Sequence, residues 1–318
     1  MTKVVFHIGY PKTGTTTLQK CFFSLPDVHY FGKMLRGTKH ALDPRSAASV
    51  SLVMDVLSAD TKRFETALPR LRDFVAHAAA DGRPVILSDE AFTLAEYMKL
   101  PSISATRVIT DHRILADRLG RLWPDATVLV SLREQKALLV SFYLQILKTG
   151  TRFRRFGDHI NAAFATADRR SILNALRYNE MYDAYSAAFG ASKVRVLTLE
   201  AYRRNFSQLI SAVAEAAGLD VGATLAHWGD RHENARPTRY AHARWFHRLL
   251  SNSGWTPNEK TYSWLARTFS LIPDTIDIDR ETADRLDAFF GPSNRLLQAA
   301  TGLDLSQWGY ALDVVPVA

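Results

Sequence analysis

The sequence predicts an α/β fold, a mostly parallel sheet flanked by helices with a helical C-terminal part. Three observations carry that expectation. Short runs rich in β-branched and aliphatic residues recur, longer stretches with helical spacing separate them, and beyond about residue 200 the strand signal fades. The runs are Val4 to Ile8, Pro84 to Leu87, Thr127 to Leu132 and Val194 to Leu199. Their apolar residues are nearly continuous rather than alternating, as in strands covered on both faces. Phe64 to Ala80 and Arg107 to Trp123 supply the helical crossovers that parallel strands require. Asn205 to Ala217, Tyr240 to Leu250, Lys260 to Phe269 and Glu281 to Thr301 then extend the helical pattern. No Gly/Ser-rich or Pro-rich linker interrupts the chain. Residues 1–318 are therefore expected to form one domain, 1–200 as the sheet core and 201–318 as a mainly helical cover.

A chain of 318 residues can bury a large core without staples. An apolar fraction of 47% and a charged fraction of 23% exclude disordered, collagen-like and disulfide-scaffold classes. The single cysteine, Cys21, can form no intramolecular disulfide and no zinc site by itself. No apolar run approaches the roughly 20 residues of a membrane helix, and the strand-like start at Val4 comes too early for a signal peptide. A cytoplasmic protein with no membrane span is expected. The net charge of +8 points to an anionic partner. It is unevenly spread: residues 271–318 hold three basic and eight acidic side chains, net −5, which leaves 37 basic and 24 acidic, net +13, in residues 1–270.

The sharpest local signal runs from Val4 to Leu18: an apolar run, a turn with Gly9, Pro11 and Gly14, then a helix start. A strand, a tight turn and a helix N-terminus aim free backbone N–H groups and the positive end of a helix dipole at one point, which makes an anion site. Thr15, Thr16 and Thr17 add hydroxyls. The spacing of Gly9 and Gly14 fits the frame of a nucleoside-triphosphate P-loop, but Thr15 stands where that loop has its lysine, and Lys12 lies inside the turn. Lys12 would project toward whatever is attached to the cradled phosphate.

Pro11-Lys-Thr-Gly-Thr-Thr16 resembles the 5′-phosphosulfate loop of sulfotransferases that use 3′-phosphoadenosine 5′-phosphosulfate, PAPS. A second block, Thr127-Val-Leu-Val-Ser-Leu-Arg133 with Ser141 eight positions later, is similar to the strand and helix that hold the 3′-phosphate in that family. The resemblance implies a P-loop-type sheet and a coenzyme site of Pro11, Lys12, Thr13, Gly14, Thr15, Thr16, Thr17, Arg133 and Ser141. The family often has Asn-Pro after its arginine; this chain departs with Glu134-Gln135. Looser likeness to bacterial and Golgi-type carbohydrate sulfotransferases covers Tyr182 to Gly190, Val194 to Glu200, Phe290 to Asn294 and Leu303 to Trp308, blocks expected to pack. Independently of the family, an arginine at a strand's carboxyl end offers a planar fork to phosphate.

Sulfuryl transfer needs a base for the acceptor and a cation for the leaving phosphate. Lys12 suits the second task. For the first, Val85-Ile-Leu-Ser-Asp-Glu-Ala-Phe92 supplies Glu90 just past a strand, where ligands of open α/β sheets bind. A glutamate there resembles the proposed base of heparan-type enzymes, and Asp89 is its rival. The expected acceptor is a hydroxyl or amine on a carbohydrate or other polar metabolite, including an anionic one.

Two other readings remain open at this level. The same segment, with Asp89 directing magnesium, suits a P-loop kinase of small molecules. A non-catalytic polyanion-binding protein on the same scaffold would also explain the charge. No metal is expected, because His227, His232, His242 and His247 fit no compact zinc spacing. No nucleic-acid motif occurs. Arg152-Phe-Arg-Arg-Phe156 could grip an anion, the resemblance makes Asn234 and Arg236 candidates for a loop closing over the nucleotide, and Trp245, Trp255, Tyr262 and Trp264 suit helical packing or a sugar-stacking platform.

Overall fold

The computed structural model describes residues 2–32, 44–94, 111–149, 155–166, 171–228 and 276–312. The chain divides into two compact units, Met1–Arg133 with Tyr178–Arg231, and Glu134–Arg177 with His232–Ala318.

The first unit is built on a five-stranded sheet: β1 (Val4–His7), β2 (His29–Gly32), β3 (Val85–Ser88), β4 (Thr127–Leu132) and β5 (Val194–Thr198). The order is β2-β3-β1-β4-β5 and every pairing is parallel. The four sequence-predicted runs are strands, within one residue at each end. The unforeseen strand is β2, whose His-Tyr-Phe-Gly gives little aliphatic signal. The chain leaves β1 in one direction to build β2 and β3, then passes back over β1 to build β4 and β5. Connections reverse direction at β1, so the crevice outside its carboxyl end is the binding position of such a sheet.

Both faces of the sheet are covered, which explains the continuous apolar runs. On one face Val5, Ile86 and Leu129 pack with Leu18 and Phe22 of the helix Thr15–Ser24 and with Leu209, Ile210 and Val213 of the helix Phe206–Ala217. On the other, Phe6 meets Phe189 edge-on at 5.9 Å, the last residue of the helix Tyr178–Phe189. The expected helix Phe64 to Ala80 is Thr61–Ala78, started by the Asp60 carboxylate accepting from the amides of Lys62 and Arg63. His112–Leu122 realises the described part of Arg107 to Trp123.

Among the described residues the second unit is helical: Gln135–Thr149, Phe156–Ala165, Ile172–Ala175 and Arg280–Thr301. Its joints are polar, the one between Gln135 and Asn294 buried and the others part-buried. Gln135 and Asn294 exchange side-chain amide hydrogen bonds at 2.6 and 3.2 Å, and Asn294 also donates to the carbonyl of Ala311. Lys136 pairs with Asp287 at 2.6 Å. The block Phe290 to Asn294 thus serves packing, as expected. The patterns at Tyr240 to Leu250 and Lys260 to Phe269 lie outside the described residues. No described helix is long and apolar enough to cross a membrane.

Candidate active site

The loop between β1 and the helix Thr15–Ser24 is fixed from beneath and from within. β-Pairing continues past β1: the amides of Ile8 and Tyr10 donate to the carbonyls of Leu129 and Ser131 at 2.9 and 3.0 Å. A Cβ at Gly9 would lie 2.6 Å from both Ser131 Cβ and Thr15 Cγ2, so only glycine lets the turn approach β4. Lys12 has φ 69°, a left-handed conformation that a lysine rarely adopts, and Gly14 has φ 85°. Strained backbone of this kind persists where the surroundings over-determine it.

The hydroxyls of Thr13 and Thr15 are turned inward. Thr13 Oγ1 donates to the carbonyl of Tyr10 at 2.5 Å, closing the loop on itself. Thr15 Oγ1 donates to Glu90 Oε1, also at 2.5 Å. The N-cap is Gly14, which has no side chain to satisfy the first turn, and no acidic residue lies in that turn. What the loop offers outward is therefore its backbone amides, the helix dipole, the exposed Thr16 and the half-buried Lys12 and Thr17.

Every other described strand-to-helix junction is closed by a side chain. After β3, Asp89 Oδ1 accepts from the amide of Ala91 at 2.9 Å. After β4, the Glu134 carboxylate accepts from the amides of Lys136 and Ala137 at 2.9 and 2.8 Å. After β5, Thr198 accepts from the amide of Ala201. Among the described residues, the loop after β1 is the strand-to-helix junction without a side-chain cap.

The two acids after β3 divide their work. Asp89 caps its own short helix, whereas Glu90 reaches across to the loop through Thr15, and Thr93 holds the Glu90 carbonyl with its amide and hydroxyl. Glu90 is only 2% exposed. Arg133 also comes to the loop: its Nη1 donates to the carbonyl of Lys12 at 3.3 Å, and its own carbonyl accepts from Tyr178 Oη at 2.8 Å. The structure thus groups the loop from Pro11 to Thr17, Glu90 and Arg133 in the first unit. Ser141 belongs to the second unit, buried on the helix Gln135–Thr149. Arg152 to Arg154, Asn234, Arg236, Trp245, Trp255, Tyr262 and Trp264 lie outside the described residues, as do His232, His242 and His247. His227 is described, its Nε2 at 3.3 Å from Ser24 Oγ. No three His, Cys, Asp or Glu gather among the described residues.

Sequence reasoning missed His7. It stands in the register of Ser88 on β3, its Nδ1 2.7 Å from Ser88 Oγ and its Nε2 3.0 Å from Ser131 Oγ on β4. A neutral imidazole donates through one nitrogen and accepts through the other, so one ring ties three strands together under the loop. Burial pushes its pKa down to about 4, with the Glu90 charge pulling the other way. The only signal was a polar residue inside Val4 to Ile8. Tyr10 was also missed; it is buried against Tyr178 with ring centroids 4.9 Å apart, and its hydroxyl is 3.4 Å from His112 Nε2.

No protein-family model matches this chain, and no curated protein does. Among solved structures it is similar to the crystal structure of a sulfotransferase from Alicyclobacillus acidocaldarius, with a TM-score of 0.56 and 14% identity. The match covers 97% of this chain and 99% of that one. With the five parallel strands and their flanking helices, that full-length correspondence means that the chain has a sulfotransferase fold.

Proposed function

We propose that this protein is a PAPS-dependent sulfotransferase that moves a sulfuryl group to a hydroxyl or amine of a carbohydrate or other polar metabolite. The observation that carries the reading is the strand-to-helix junction at Gly14, without a side-chain cap where the other described junctions have one, with a lysine held beside it at positive φ. Such a cradle, lined by amides and one cation, fits the phosphosulfate end of PAPS. It does not depend on a metal ion, because the charge is met by backbone dipoles and Lys12. The full-length fold likeness to a sulfotransferase supports the same class.

In this reading PAPS supplies the sulfuryl group. The amides from Thr13 to Thr16 orient its 5′ end, with the Thr17 hydroxyl beside them, and Lys12 stabilises the charge that grows on the leaving phosphate. Glu90, held by Thr15, takes the proton of the attacking hydroxyl or amine. Arg133 holds the 3′-phosphate. An NTP-type loop would require a lysine at position 15, and the residue there is a buried threonine bonded to Glu90.

Calorimetry with adenosine 3′,5′-bisphosphate tests the reading. Binding without magnesium is expected, weakened at least tenfold by Arg133→Ala. Folded protein that does not bind the bisphosphate, or binds it equally well after Arg133→Ala, overturns it.

A further inference from the structure

The helix that begins at the loop carries a second polar group with no assigned task. Gln19 is 1% exposed, and neither its Oε1 nor its Nε2 has a hydrogen-bond partner among the described residues. Buried side-chain amides are satisfied in the large majority of proteins, since each orphaned donor or acceptor costs about 1–3 kcal/mol. A carboxamide kept in that state wants an explanation, and its position supplies one.

Residues four apart share one face of a helix, and long side chains lean back toward its N-terminus. One turn before Gln19 on this face is Thr15, which bonds Glu90 just past the end of β3. One turn after it is Phe23, which meets Tyr30 of β2 edge-on at 6.1 Å. Gln19 therefore lies on the helix face that bears Thr15, bonded to Glu90 after β3, and Phe23, packed on Tyr30 of β2. The backbone there is held tight: a Cβ at Gly32 would lie 2.3 Å from the carbonyl oxygen of Ser88 and 2.6 Å from Tyr30 Oη. Glycine at position 32 keeps side-chain bulk away from this corner.

The chemistry of the group selects its ligand. A carboxamide presents an acceptor and a donor side by side in one plane. Its natural complement is a pair of neighbouring hydroxyls, one donating to Oε1 and the other accepting from Nε2. We propose that Gln19 is the acceptor-recognition group of this site, binding vicinal hydroxyls of a polyhydroxylated acceptor and setting one of them beside Glu90. This rests on the sulfotransferase reading and narrows its acceptor. A site built to hydrogen-bond hydroxyls rejects analogues that lack them, because its buried polar groups are then left unpaired.

The test uses Gln19→Met, which keeps length and removes both polar atoms, with Gln19→Leu as a second variant. Labelled PAPS is offered with lactose, chitobiose or trehalose. Wild-type protein is expected to sulfate at least one of these sugars, and both variants to raise its KM at least tenfold. Thermal midpoints equal to or above that of the wild type are expected, since an orphaned amide has been removed. Bisphosphate affinity should stay within twofold. An unchanged KM, as a buried water at Gln19 would give, overturns the proposal. So does a lower thermal midpoint, which would mean that the amide is satisfied within the fold. Wild-type protein that binds the bisphosphate yet sulfates none of the three sugars refutes this inference alone. Failure to bind the bisphosphate removes the sulfotransferase reading and this inference with it.

Discussion

After β1 the chain runs through residues 8–14 to a helix whose N-cap is a glycine; after β4 it runs through Arg133 and Glu134 to a helix whose first amides are taken by a carboxylate. Both turns follow a parallel strand, and both belong to sequence blocks that resemble phosphate sites. They differ in who satisfies the helix. Glu134 brings a full negative charge to the amides of Lys136 and Ala137, a favourable end for the dipole and a closed one for any other anion. Gly14 brings nothing. The departure from Asn-Pro to Glu-Gln therefore has a physical content: the second turn can offer a phosphate the Arg133 side chain, but not its helix amides.

If the first turn alone handles the developing charge, Lys12→Ala should have the largest effect. Turnover should fall about 10³-fold, the scale of losing one preorganised charge-stabilising group. Bisphosphate affinity should change far less, because the amides remain. A parallel loss in both would make Lys12 a binding residue only.

A pH signature comes next, from the histidine beneath the first turn. The folded His7 resists protonation down to about 4, whereas in the unfolded chain it takes a proton near the ordinary 6.5. Between those values the unfolded chain binds more protons, so stability falls as pH drops from 6.5 to 4 and is fully present above 6.5. The loss attached to this one group is about 3 kcal/mol at full extent. Urea unfolding at pH 7 and pH 4.5 should show it in wild type and not in His7→Gln; equal pH dependence in the two would assign the loss elsewhere.

Exchanging the two chemistries is the mildest test. Glu134→Ala should cost about 1 kcal/mol of stability, as loss of a helix cap does. Thr16→Glu places a carboxylate in the first turn of the other helix and should weaken bisphosphate binding about tenfold through like-charge repulsion, while leaving the thermal midpoint equal or higher. Unaltered affinity in Thr16→Glu would show that the bisphosphate does not rest on that helix end.

What the sequence disclosed follows from distance along the chain. The loop from Gly9 to Thr17 is contiguous, so its glycine spacing and its misplaced lysine were readable, as were strands such as Thr127 to Leu132. The strand His29–Gly32 was not, because aromatic residues with one glycine carry a weak pattern and its pairing with Val85 to Ser88 comes from far along the chain. The partners of the two acids after β3 were likewise closed to spacing arguments: Glu90 bonds Thr15, 75 residues earlier, and the tie of His7 to Ser131 spans 124. The positive φ of Lys12 has no signature in residue type, since lysine is a poor choice for that conformation.

The strand order has a kinetic consequence. β1 is the earliest strand in the sequence and the middle one in space, between β3 and β4. A nascent chain that has reached residue 84 already contains every atom of the glycine loop but neither neighbour of β1. The turn's support at Leu129 and Ser131 is later still. Such non-local pairings form slowly because a long loop must close first. The loop is therefore chemically complete long before it is shaped, and a ribosome-bound fragment or a peptide of residues 1–24 should be blind to the bisphosphate that the finished chain is expected to bind.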